Sequence, residues 1–201
     1  MSTILIRGVE RRVIQLGAGE IRAKKSGDVT RLTGYAAKFN VLSRDLGGFN
    51  EKINPGAFGA SLRDGADVRF LFNHSADVVL GRTASKTLEI GEDSTGLWFD
   101  GKMPNTGAAR DLVELIDRGD VSEMSFGFRT IKDDWEMMGG MPVRTLHAVD
   151  LFDVSVVTFA AYPETDVATR GLQEFVKKTA KPEGTPALDT RVRRLRAMDA
   201  V

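Results

Sequence analysis

Thr145–Thr158 constrains the fold more than any other stretch, because it is an apolar run with Asp153 set in its middle. Such a run belongs inside a sheet, and a carboxylate there needs a partner, since burying an unpaired charge is costly. A histidine imidazole or an arginine would serve equally. Five further runs, Thr30–Phe39, Asp67–Phe72, Leu88–Ile90, Leu97–Lys102 and Ser122–Lys132, also alternate or are continuously apolar. Gly91–Gly96 reads as the turn of a hairpin, and Asp133–Pro142, with Gly139 and Gly140, reads as a longer hairpin loop. Only two helices are signalled. Asn54–Arg63 opens on a cap residue followed by Pro55 at the first helical position. Gly107–Arg118 has Thr106 as its cap and Gly119 as its stop, with Leu112, Leu115 and Ile116 on one face and Glu114 spaced to pair with Arg118. The chain is therefore expected to be mainly β with helices, an α+β domain with no internal repeat.

Composition removes whole classes of function. With no cysteine there is no disulfide, no thiolate metal site and no cysteine nucleophile. The 28 basic and 28 acidic side chains cancel, which leaves no electrostatic footprint for nucleic acid or an anionic membrane. No apolar run reaches the roughly 18 residues of a membrane span, and Met1–Arg7 does not read as a signal peptide, so a cytoplasmic setting is expected. Charge is uneven along the chain. Residues 171–201 carry seven basic and four acidic side chains, with a linker-like Lys181–Pro186 and four arginines, Arg191, Arg193, Arg194 and Arg196, around Leu195. The expected division is a folded domain at 1–170 and a basic, flexible tail at 171–201.

Three stretches carry chemistry. His74, one of only two histidines, stands where the apolar Phe70–Phe72 gives way to polar residues. A rigid strand end aims a side chain well, although a hydrogen-bonded loop histidine has the same pattern. In Val121–Arg129, alternation puts Met124, Phe126 and Phe128 on a core face and Glu123, Ser125, Gly127 and Arg129 on the other. Ser125 thus projects from an anchored strand beside a glycine that leaves room for a substrate backbone. It is not a G-x-S-x-G elbow, because Glu123 occupies the first glycine position. With Asp153, the three stretches hold a hydroxyl, an imidazole and a carboxylate, the parts of a nucleophilic triad. Two histidines 73 positions apart give no local metal-ligand spacing, and no metal or cofactor is expected.

At these residues the sequence resembles the prohead (capsid maturation) serine proteases of tailed bacteriophages. The matching pieces follow the family's order: Leu32–Asn40, Glu51–Phe58, Phe72–Ser75, Leu80–Arg82, Gly96–Phe99, Met124–Phe128, and Leu151–Thr158 ahead of Ala161–Pro163. The resemblance implies a β-barrel related to the herpesvirus assembly proteases, surrounded by a few helices. It also implies a serine endopeptidase with His74 as general base, Ser125 as nucleophile and Asp153 as third member. Glutamate is the expected residue at the position of Asp153, so the shorter aspartate needs a closer strand or a bridging water. His147 ranks second for that role, since the herpesvirus enzymes use a second histidine, and Asp150 ranks third. The implied partners are the major capsid protein's N-terminal extension, scaffold protein and the protease itself, cleaved within an assembling procapsid in the host cytoplasm, with self-cleavage and a homo-oligomer expected but no nucleic acid and no membrane. A catalytically inactive scaffold or capsid-associated protein of the same fold is the alternative. Self-trimming within about 165–190 is expected, because a tethered tail meets the protease at high effective concentration.

Overall fold

The computed structural model describes residues 8–15, 21–159 and 166–179. Its spine is one long hairpin, strands β9 (Glu123–Met138) and β10 (Met141–Val157), paired antiparallel along their length. Gly139 and Gly140 join them with φ of 59° and 86°. A two-residue turn of this hand needs positive φ at both positions, which glycine adopts without a Cβ clash. The segment expected as a loop, Asp133–Pro142, is therefore strand on both sides of this turn. Its polar side chains hid the pairing, because this part of the ladder is largely exposed.

The larger sheet runs β1 (Glu10–Gln15), β9, β10, β5 (Arg69–Phe72), β6 (Ser75–Arg82), and β4 (Asn50–Ile53) also pairs with β10. β4 and β5 both lie parallel to β10, β4 along Val143–Leu146 and β5 along Asp153–Val156. The gap between them is filled by the turn after β4 and the short helix α1 (Gly59–Arg63). There the Val149 N–H donates to the Ala57 carbonyl and the Leu151 N–H to Ser61 Oγ, both at 3.0 Å, so the interrupted edge keeps its partners. The helix expected from Asn54 is thus one turn long and starts later. Asn54 is held to β10 instead, its N–H on the Leu146 carbonyl at 3.0 Å, and Gly56 takes a left-handed φ of 87° that no helix continues through.

The smaller sheet is antiparallel, in the order β2 (Arg22–Ser26), β3 (Val29–Lys38), β8 (Gly96–Lys102), β7 (Leu88–Glu92). The two sheets share one core. Leu32, Ala36, Leu97 and Phe99 from the smaller meet Phe70, Met124, Phe126, Phe128, Val154 and Val156 from the larger, with the Phe70 and Phe99 rings 5.2 Å apart. The molecule is mainly β with a few helices, as expected, and the sheets enclose the core without closing into a barrel among the described residues.

Helix α2 (Gly107–Arg118) has the expected ends: Thr106 Oγ1 accepts from the Ala109 N–H at 3.3 Å, and Gly119 stops it in the left-handed region at φ 82°. Arg118 pairs with Asp120 at 2.9 Å rather than with Glu114. Helix α3 (Asp166–Thr179) crosses the 170/171 boundary, and its Phe175 stacks on Trp135 with ring centres 5.9 Å apart. The linker-like Lys181–Pro186 and the four arginines lie outside the described residues. No helix among the described residues is long and apolar enough to cross a membrane.

Four ionised side chains are buried together on the larger sheet. Arg144 Nη1 contacts Glu10 Oε2 at 2.6 Å and Glu51 Oε2 at 3.1 Å, and Arg12 Nε donates to Glu51 Oε1 at 2.7 Å. Asp133 closes the group on Arg144 Nε at 2.6 Å. Burial pushes the Glu10 carboxyl up, but the Arg144 hydrogen bond and charge, with Arg12 and the Thr130 hydroxyl, outweigh it and hold Glu10 below its ordinary range. The cluster ties β1 to β4, β9 and β10.

Candidate active site

Ser125 lies in β9, where the apolar alternation does place Met124, Phe126 and Phe128 in the core. Its own side of the sheet is not open: Ser125 is fully buried. Directly across the ladder on β10 stands Ser155, and two positions along, past the core pair Phe126 and Val154, Gly127 faces Asp153. Because directly opposed residues share a face, all four belong to one side of the sheet.

Counted forward from Leu151, alternation gives Asp153 the wrong side. Leu151 is in the core, and a regular strand would put Asp153, two residues on, there with it. The ladder slips between Leu151 and Asp153, where Leu151 faces Phe128 and Asp153 faces Gly127, so Phe152 is an inserted residue. This β-bulge turns Asp153 to the side of Ser125 while Val154 returns to the core. Space for the carboxylate comes from Gly127. A Cβ on that residue would sit 2.2 Å from Asp153 Oδ2, so the glycine makes room for the acid rather than for a substrate backbone.

His74 arrives from the other end of β10. Asn73 and His74 form the tight turn between β5 and β6, across which Phe72 pairs with Ser75, and their φ values are 53° and 54°. Left-handed backbone costs a residue with a Cβ roughly 1–2 kcal/mol, and asparagine and histidine are among the residues found there most often. The turn is clamped to β10. The Asn73 N–H donates to the Val156 carbonyl at 2.8 Å, and Asn73 Oδ1 accepts from the Thr158 N–H at 3.0 Å and its hydroxyl at 3.2 Å.

The turn delivers the imidazole between the other two groups. His74 Nδ1 lies 2.6 Å from Asp153 Oδ1, and His74 Nε2 lies 2.7 Å from Ser125 Oγ. An ionised carboxylate only accepts, so Nδ1 carries the ring proton and Nε2 is left to accept from the Ser125 hydroxyl. Aspartate reaches the ring directly, so the shorter side chain needs no bridging water. The side chains of His74 and Asp153 are only 5% and 12% exposed, which keeps the chain of hydrogen bonds out of bulk water.

The two rivals of Asp153 are engaged elsewhere. His147 is bonded to Asn54 Nδ2 at 3.2 Å and to Asp134 Oδ2 at 2.9 Å, and Asp150 pairs with Arg129. No group of three or more metal-ligating side chains is placed to hold an ion among the described residues. Two participants escaped the sequence. Asn73 could have been suspected from its preference for left-handed turns, whereas Ser155 carried no signal beyond being a polar residue among valines.

The family model described as caudovirus prohead serine protease matches residues 18–179, so β1 precedes the matched region. The prohead protease of Enterobacteria phage HK97 is 31% identical over 153 residues, covering 74% of this chain. The match spans 64% of that relative's length. The structure of the bacteriophage T4 capsid assembly protease is similar in fold, with a TM-score of 0.50 at 10% identity over 75% of this chain and 99% of that one.

Proposed function

Because the chain belongs to the caudovirus prohead serine protease family, we propose that it is a serine endopeptidase of capsid maturation. Ser125 is the nucleophile, His74 the general base and Asp153 the third member. The observation that carries this reading is the unbroken relay Ser125 Oγ–His74 Nε2 at 2.7 Å and His74 Nδ1–Asp153 Oδ1 at 2.6 Å. Ser125 Oγ attacks the scissile carbonyl as His74 Nε2 takes its proton. The imidazolium, stabilised by Asp153, then gives that proton to the leaving amine. Water releases the acyl-enzyme by the same route in reverse, and the ionised Asp153 keeps the ring in the tautomer that can accept. The substrates of this reading are capsid protein, scaffold protein and the protease's own chain, cut inside a procapsid in the host cytoplasm. Peptide hydrolysis there is effectively irreversible and gives assembly a direction.

The test is direct. Purified wild-type protein incubated with procapsid proteins, or alone, should yield fragments by mass spectrometry, and a fluorophosphonate should label Ser125. Ser125→Ala and His74→Ala should abolish cleavage, with the double variant little worse than either single one because triad members act as a unit. Cleavage surviving at more than a few per cent in Ser125→Ala removes the nucleophile assignment.

A further inference from the structure

Ser155 is fully buried in β10, directly across the ladder from Ser125. A buried hydroxyl in a run of valines is unfavourable unless it is hydrogen-bonded. Its partners are two members of the relay: Ser155 Oγ lies 2.8 Å from Asp153 Oδ1 and 3.2 Å from His74 Nδ1. The carboxylate accepts only, so the Ser155 proton points at Asp153 and its lone pairs face the imidazole. Asp153 Oδ1 therefore accepts from both His74 and Ser155, while Oδ2 lies over Gly127. The His74 Nδ1–H in turn has two acceptors converging on it.

We propose that Ser155 is a positioning residue of the relay. Its hydroxyl fixes the rotation of the Asp153 carboxylate and, with it, holds the His74 proton on Nδ1. This rests on the protease reading above. The Ser155 hydroxyl is engaged by Asp153 and by the Nδ1 edge of the ring, away from the Nε2 that meets Ser125, so its effect falls on turnover and not on binding. When the ring takes the second proton, the same oriented dipole places oxygen lone pairs beside the new charge, which no apolar side chain can do.

The experiment compares Ser155→Ala, Ser155→Thr and Ser155→Val in the full chain. Threonine and valine have the same bulk and differ only in the hydroxyl, so their ratio is free of any cost of the extra methyl group. A fluorophosphonate reads how strongly Ser125 is activated without requiring the cleavage-site sequence. Loss of a hydrogen bond to a charged group predicts labelling about 10–100-fold slower in Ser155→Ala and Ser155→Val. The Thr variant should label at least tenfold faster than the Val variant, with the probe's apparent affinity unchanged. Nitrogen-15 NMR of histidine-labelled protein gives an independent reading, because the chain has two imidazoles and His147→Gln identifies the other. The His74 ring should be the Nδ1–H tautomer in wild type and shift toward Nε2–H in the Ala and Val variants. Equal labelling of the Thr and Val variants, with unchanged His74 nitrogen shifts, overturns the proposal. Failure of the protease reading has a different signature, namely no labelling of wild-type Ser125, and the NMR comparison still decides what Ser155 does to His74.

Discussion

At the scale of single residues, Asp153 and Gly127 are one device. The carboxylate bonded to His74 occupies the volume a side chain at Gly127 would take, 2.2 Å from where its Cβ would lie. Asp153→Asn should lower kcat by roughly four orders of magnitude through the wrong imidazole tautomer, with KM nearly unchanged. His147→Ala and Asp150→Asn, whose side chains face Asp134 and Arg129, should stay within a few-fold of wild type on the same peptide assay. A larger loss in His147→Ala than in Asp153→Asn would exchange their roles. Gly127→Ala should fold, since alanine is admissible in a strand, yet lose at least a hundredfold in kcat because Asp153 is pushed off His74. Native circular dichroism with full activity in that variant would contradict the packing argument.

At the scale of elements, β1 is held by charge as much as by its ladder. Glu10 and Arg12 are buried against Glu51 and Arg144, which belong to β4 and β10. Removing one partner of a buried pair strands the other, at a cost of about 3–5 kcal/mol. Glu10→Gln should therefore lower the urea midpoint clearly. The pH dependence has a definite sign. The Glu10 carboxyl is held below its ordinary value in the folded chain, so its contribution is complete above the unfolded value, near 4.3, and is lost as pH falls through the folded one. Urea midpoints of wild type and Glu10→Gln should consequently converge in acid below about pH 4. A gap between them that stays constant with pH would show that Glu10 acts by packing alone.

For the whole molecule, α3 bears on the self-trimming that the protease proposal entails. An endopeptidase needs an extended segment, and 166–179 is helical, with Phe175 stacked on Trp135 of the central hairpin. Any trimming near the C-terminal end should fall at 180–190 and leave α3 on the domain. Mass spectrometry of wild type beside Ser125→Ala reads this directly: termini inside 166–179 in wild type alone would mean that α3 leaves the hairpin, and an intact chain in active enzyme would rule trimming out. The larger sheet also explains why the site is remote in sequence. β10 is flanked by β9 on one edge and β5 on the other, so one strand collects Ser125 from its first neighbour and His74 from the turn after its second.

What could be read from the residues in order was local. Alternating apolar runs marked β3, β5, β7, β8 and the inner halves of β9 and β10, and Thr106 and Gly119 bounded α2, because each depends on side chains a few positions apart. The same holds for the kinds of group at the site, since a histidine at a strand end and a carboxylate in an apolar run are visible without a fold. β1, β2, β4 and β6 were not visible: β2 and β6 are largely exposed edge strands, and β1 and β4 are short strands whose burial comes from partners far along the chain, as with Glu10 against Arg144. The side to which Asp153 points was equally hidden. It turns on a one-residue slip at Phe152 against β9, and the period of two that makes strands legible gives Asp153 opposite faces when counted from Leu151 and from Val154, until that pairing is formed. Side-chain spacing therefore announced which groups were present, and only the register between β9 and β10, with the clamp of Asn73 on Thr158, decided that they meet.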